Sequence, residues 1–227
     1  MKKIILNPIA LSLLAFSTLS VQCQGAGNET VEKKQTNMGE KEKKDSLNEN
    51  KVKPFDYKTK TVRLNSGYDM PIIGIGTYRL SDAQAENSVY NALRVGMRLI
   101  DTADIYGNEE GVGRGIRRAM QDFGIKRSEI FVTTKPWTST YGDAENEINE
   151  RLQRLGLDYI DLLLLHHYAP NNEHAYKAME RGVEEGNIHS IGLSNFYEDS
   201  FDRMLRIAKI APAVLQNETH PYHQAKQ

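Results

Sequence analysis

Between residues 72 and 219 the chain alternates two hydrophobic rhythms. Short apolar runs read as strands: IIGIGTY (72–78), MRLID (97–101), EIFVTTK (129–135), DYIDLLLLHH (158–167), HSIGLSNF (189–196) and AVLQNET (213–219). Between them, apolar residues recur at helical spacing. The stripes are Ala85, Val89 and Leu93; Val112, Ile116 and Met120; Ile148, Leu152 and Leu155; Ala175, Met179 and Val183; and Phe201, Leu205 and Ala208. Ser81, with Gln84 three residues on, forms a capping box at the first helix start. Gly96, Gly124, Gly156 and Gly186 stop four of the helices. The run of four leucines before His166 predicts a strand buried on both faces. Ahead of all this, TKTVRLNSGYDMP (59–71) predicts a hairpin turning at Asn65-Ser66-Gly67.

Strands and helices in strict alternation predict a parallel α/β fold. A doubly wound sheet needs a glycine-rich turn straight after its first strand. The only glycine cluster, GVGRG (111–115), lies inside a helical pattern, so its small residues are expected to admit a neighbouring helix. The remaining architecture is a (β/α)8 barrel of the TIM type, whose working residues gather at the C-terminal strand ends. About six of the eight βα units are present. Asp101, Lys135, His166, Asn195 and Gln216 all fall at such ends.

The N-terminal quarter has a different composition. Residues 1–23 read as an export signal: two lysines, a short apolar stretch, then small and polar residues. The only cysteine, Cys23, stands where a bacterial lipoprotein signal carries its lipidated residue. Lipid anchoring at Cys23 and plain cleavage near Ala26 both stay open. Residues 24–56 are densely charged and poor in apolar side chains, which predicts a disordered tether. The folded domain is expected over 57–227. The location implied is periplasmic or membrane-anchored, or cytoplasmic where the signal is not used. A formal net charge of −1 argues against a nucleic-acid partner.

Each polar strand-end residue has an ordinary structural reading when taken singly. Asp101 could cap a turn, Lys135 could sit in a solvated loop, and His166 could be a backbone-bonded core histidine. Tyr106 could be a surface phenol. Together they suit carbonyl reduction. Hydride arriving at a carbonyl carbon leaves negative charge on oxygen, which needs a proton donor beside it. Tyr106 would donate that proton. Lys135 would lower the phenol's pKa, Asp101 would hold and balance the ammonium, and His166 would orient the carbonyl.

The same stretches resemble the aldo-keto reductase family. MPIIGIGTYRL is similar to its first strand and GMRLIDTADIYGNEEGVGRGI to the signature around its catalytic Asp and Tyr. FVTTKPW carries the lysine and LDYIDLLLLHH the histidine; GNIHSIGLSNF and AVLQNETHPYHQ match the fifth and sixth strands. The resemblance implies NADPH, with NADH as the other option, and a small carbonyl substrate. It implies that Gly76, Thr77 and Tyr78 line the nicotinamide end, joined by Asp101. Ser194 and Asn195 would bind the carboxamide, with Gln216 alongside. Trp137 would join Tyr106 and His166 in the substrate pocket. The family often has tryptophan directly after the catalytic histidine, where this chain has His167.

A family barrel has eight strands, and the chain stops soon after its sixth, so the sequence is expected to be an incomplete barrel that lacks the grip on the cofactor phosphates. Two rival functions are a metal-dependent hydrolase and a membrane-tethered binding protein without catalysis. The first is disfavoured because adjacent residues on a strand, such as His166 and His167, should point to opposite faces. No metal site is expected.

Overall fold

The computed structural model describes residues 55–223. The signal at 1–23, Cys23 and the charged tether up to residue 54 lie outside the described residues. A small antiparallel sheet comes first: β1 (Phe55–Asp56), β2 (Thr61–Arg63) and β3 (Asp69–Pro71). β2 and β3 are the expected hairpin, with Thr61 opposite Pro71. Phe55 and Asp56, assigned from composition to the tether, instead pair with Val62 and Thr61.

Six parallel strands follow in sequential order: β4 (Gly74–Gly76), β5 (Leu99–Asp101), β6 (Phe131–Thr134), β7 (Leu162–Leu165), β8 (Ile191–Ser194) and β9 (Val214–Gln216). The helices between them are α1 (Asp82–Arg94), α2 (Glu109–Phe123), α3 (Ala144–Leu155), α4 (Asn172–Glu185) and α5 (Glu198–Ile207). The sheet is that of a (β/α)8-type barrel over six of its strands. Each strand is shorter than its apolar run, because burial extends past the last ladder hydrogen bond. Three 3-10 turns, Asp104–Tyr106, Arg127–Glu129 and Thr138–Asp143, carry no periodic signal and are absent from the sequence-based reading.

The two-residue period of the strands sorts every side chain. Ile100, Val132, Leu163, Leu165, Ile191 and Leu193 face outward and pack under the helices in two clusters. Leu99, Phe131, Leu162, Leu164 and Val214 face inward, where they meet Leu64 and Met70 of the hairpin. The hairpin therefore plugs the N-terminal end of the sheet. Ser66 bonds Ser190 there at 2.8 Å, and the Asn65 amide donates to the Ala211 carbonyl at 3.2 Å.

Ser81 caps α1 as the capping box requires: its hydroxyl accepts from the Gln84 N–H, and the Gln84 side chain accepts from the Ser81 N–H. GVGRG does bring helices together. A side chain at Gly111 would strike the Asp82 carbonyl of α1, and one at Gly113 the Leu155 carbonyl of α3. A Cβ at Gly115 would lie 2.6 Å from the Glu86 carbonyl. One expected stripe is corrected. In α5 the buried residue is Met204, while Leu205 is 44% exposed, so the inner face runs through Phe201, Met204 and Ala208. Among the described residues no helix is long and apolar enough to cross a membrane.

Candidate active site

The inward parity that fills the barrel floor also delivers the polar groups at the other end. Asp101 lies two residues beyond Leu99, Lys135 four beyond Phe131, His166 two beyond Leu164, and Gln216 two beyond Val214. Ser194 pairs with Gln216 in register. The structure thus brings together the residues expected at the strand ends.

Lys135 Nζ lies 2.6 Å from Asp101 Oδ1 and donates to the Thr102 carbonyl at 2.9 Å. Its side chain is 1% exposed, so it is no solvated loop lysine. The other oxygen of Asp101 accepts from Gln216 Nε2 at 3.0 Å. Asp101 therefore binds side chains from β9 and from the end of β6 and caps nothing. Lys135 Nζ also stands 5.4 Å from the centre of the Tyr106 ring. Tyr106 packs against Tyr78 (ring centres 5.0 Å) and edge-on to His166 (5.9 Å). Among the described residues its hydroxyl makes no hydrogen bond.

One expected electrostatic effect is reversed. Burial, followed by the charge of Asp101 and then Tyr78, raises the Tyr106 pKa well above that of a free phenol. The ammonium of Lys135, balanced by Asp101 at 2.6 Å, does not outweigh these effects. The phenol is held protonated. His166 is pushed down to about 3 by burial first and by the Lys135 charge second, so it is neutral at ordinary pH. Among the described residues its buried Nδ1 has no hydrogen-bond partner, against the backbone-bonded reading.

His167 corrects another expectation. β7 ends at Leu165, so strand alternation does not carry on to His167. The two imidazoles stack with centres 5.0 Å apart and planes within 15°. Both stand edge-on to Trp137, at 5.1 and 5.4 Å. The Tyr141 hydroxyl donates to the His167 carbonyl at 2.9 Å and fixes this backbone. Burial lowers the His167 pKa as well. No group of three or more His, Cys, Asp or Glu that could hold a metal occurs among the described residues.

At the rim, the Asn195 amide donates to the His166 carbonyl (3.0 Å) and to Ser194 Oγ (3.1 Å). Asn195 sits in the left-handed region, φ 57°, which asparagine tolerates better than most residues. Neither it nor Ser194 caps α5, whose N-cap is Tyr197. Thr77 is fully buried: its N–H and hydroxyl both donate to the Asp101 carbonyl. Gly76 pairs with Asp101 in the ladder, and Tyr78 is 61% exposed beside Tyr106.

Several supporting residues escape sequence reasoning. Asn108 is fully buried and ties three segments: its amide donates to the Thr77 and Leu80 carbonyls and accepts from Thr102 Oγ1. Glu109 is buried against Thr134, Arg151 and Arg154. Arg151 occupies a position on the Ile148–Leu155 stripe, a signal that it points inward despite its charge.

At the C-terminal ends of a parallel βα sheet, a buried Lys–Asp pair thus lies beneath a tyrosine. The chain belongs to the aldo/keto reductase family, whose model matches residues 72–227. It is 40% identical to the NAD(P)H-dependent D-xylose reductase I,II of Candida tropicalis, over 72% of this chain and 60% of that one. It is likewise 40% identical to morphine 6-dehydrogenase of Pseudomonas putida, over 74% and 57% of the two chains. Among solved structures, the Bombyx mori aldo-keto reductase in complex with NADP superposes with a TM-score of 0.67 at 34% identity, covering 73% of this chain and 60% of that one. The chain spans about 60% of the length of the curated relatives it matches.

Proposed function

We propose that this protein reduces aldehyde or ketone carbonyls to alcohols with NADPH, or alternatively NADH, as the hydride source. The observation that carries the reading is the convergence of the Tyr106 and His166 rings on the buried Lys135–Asp101 pair. Relatives named as NAD(P)H-dependent reductases support it.

The rim suits a nicotinamide carboxamide. Asn195 and Gln216 use their amide N–H groups within the protein. Their carbonyl oxygens remain as acceptors and the Ser194 hydroxyl as a donor, the complement of a primary amide. Gly76, Thr77 and Tyr78 border the same layer, with the exposed Tyr78 ring offering a flat apolar face. When bound, the cofactor supplies hydride to the carbonyl carbon.

The chain's own groups do the rest. Tyr106 holds a proton on its phenolic oxygen and gives it to the carbonyl oxygen as negative charge develops there. Lys135 stabilises the phenolate that results, while Asp101 and Thr102 keep the ammonium in place. His166, neutral with Nδ1 buried, offers Nε2 to the same carbonyl oxygen. Trp137 and His167 wall the substrate side. The exported location and the Cys23 anchor belong to the same proposal and would hold this chemistry at a membrane surface.

The test is to mix the purified chain with NADPH and a small aldehyde and follow the absorbance of the reduced nicotinamide. Aldehyde-dependent oxidation in the wild type, with none in Tyr106→Phe, is expected. No aldehyde-dependent change, or an undiminished rate in the variant, overturns the reading.

A further inference from the structure

Tyr106 is placed by its loop and by ring contacts with Tyr78 and His166, since its hydroxyl makes no hydrogen bond among the described residues. The loop is short. Asp104 opens the 3-10 turn that ends in Tyr106, and Glu109 begins α2 three residues later. Both acids reach the same partner on the outer side of the sheet. Arg154 Nη2 donates to Asp104 Oδ1 at 3.2 Å, and Arg154 Nε donates to Glu109 Oε2 at 2.9 Å. Behind it on α3, the fully buried Arg151 donates to Glu109 Oε1 at 3.1 Å and stands 3.6 Å from Asp104 Oδ2. Glu109 Oε1 also accepts from Thr134, the residue before Lys135, at 2.6 Å. The Asp104 N–H donates to the Lys135 carbonyl at 3.0 Å.

We propose that Arg154, backed by Arg151, is a positioning residue that sets the Tyr106 hydroxyl by gripping both ends of the loop that carries it. The inference rests on the carbonyl-reduction reading for its consequence in turnover. A guanidinium suits this task because its planar fork bonds two carboxylates in fixed directions at once. An ammonium at the same place keeps the charge but has no such fork. Glu109 and its contacts link the loop to the strand end bearing Lys135, so donor and ammonium are held in one frame.

The experiment is amide hydrogen exchange on the full chain, comparing wild type, Arg154→Met and Arg154→Lys. The informative amides are Tyr106, which bonds the Ala103 carbonyl, and Gly107, which bonds the Asp104 carbonyl. In Arg154→Met their exchange should quicken about tenfold, with Val132 and Leu163 in the sheet unchanged. Arg154→Lys should fall between. In the turnover assay kcat should drop while KM for the carbonyl holds, because a misplaced proton donor weakens the transition state more than binding. Unchanged exchange at Tyr106 and Gly107 overturns the proposal. Exchange quickened throughout the sheet also overturns it, by making Arg154 a general stabilising residue. A wild type without carbonyl reduction refutes the proposed function, and the exchange data still decide whether Arg154 holds the loop.

Discussion

Lys135 Nζ and Asp101 Oδ1 meet at 2.6 Å across 34 residues of chain, with both side chains almost wholly out of water. Such a pair is costly to break on one side, because the survivor is left as a lone buried charge. Asp101→Asn and Lys135→Met are each expected to destabilise the fold by about 3–5 kcal/mol. The double variant should lose less than the sum of the two. Urea midpoints of the four proteins measure this, and strict additivity would show that the two groups do not depend on each other.

Tyr106→Phe keeps the ring contacts with Tyr78 and His166 and removes the proton. Turnover should fall about 100- to 10,000-fold, the usual range for a lost general acid. Folding, followed by urea denaturation, should be unaffected, since the hydroxyl has no internal hydrogen bond to lose.

His166 titrates near 6.5 when unfolded and at about 3 in the folded protein. Between those values the unfolded chain binds a proton that the native protein refuses. Its contribution is therefore complete above pH 6.5 and is lost as pH falls toward 3. His166→Gln should flatten the decline in stability between pH 7 and pH 4. Parallel decline in both proteins would place the acid sensitivity elsewhere.

Gly113 allows α2 to lie against the end of α3 at the Leu155 carbonyl. Backbone cannot give way as a side-chain tip can. Gly113→Ala should destabilise by about 1–3 kcal/mol despite alanine's better helix propensity. Thermal unfolding of the variant checks this. Gly186→Ala would not serve as a control, because its φ of 84° adds strain of its own.

Cys23→Ser tests the anchor expected from the N-terminus. Wild-type protein expressed in a bacterium that processes lipoproteins should fractionate with membranes, and the variant should not. Equal distribution of the two would eliminate a lipid on Cys23.

Sequence alone determined the order of strands and helices, because burial imposes a period of two or of 3.6 on any segment packed on one side. It also determined which strand ends carry Asp101, Lys135, His166, Ser194 and Gln216, since each inward side chain shares parity with the apolar residues below it. Only the tertiary structure decided what these groups do to one another. Burial raises the Tyr106 phenol and Asp101 balances Lys135, so the phenol's pKa rises rather than falls, a matter of distances that no local pattern encodes. His166 and His167 stack because the ladder stops at Leu165, and the end of a ladder depends on the neighbouring strand. Asn108, Glu109 and Arg151 lie in the interior, where each forms a hydrogen bond to a partner 25 to 42 residues away. A polar residue reads as solvent-facing in sequence, and only long-range hydrogen bonds make its burial tolerable.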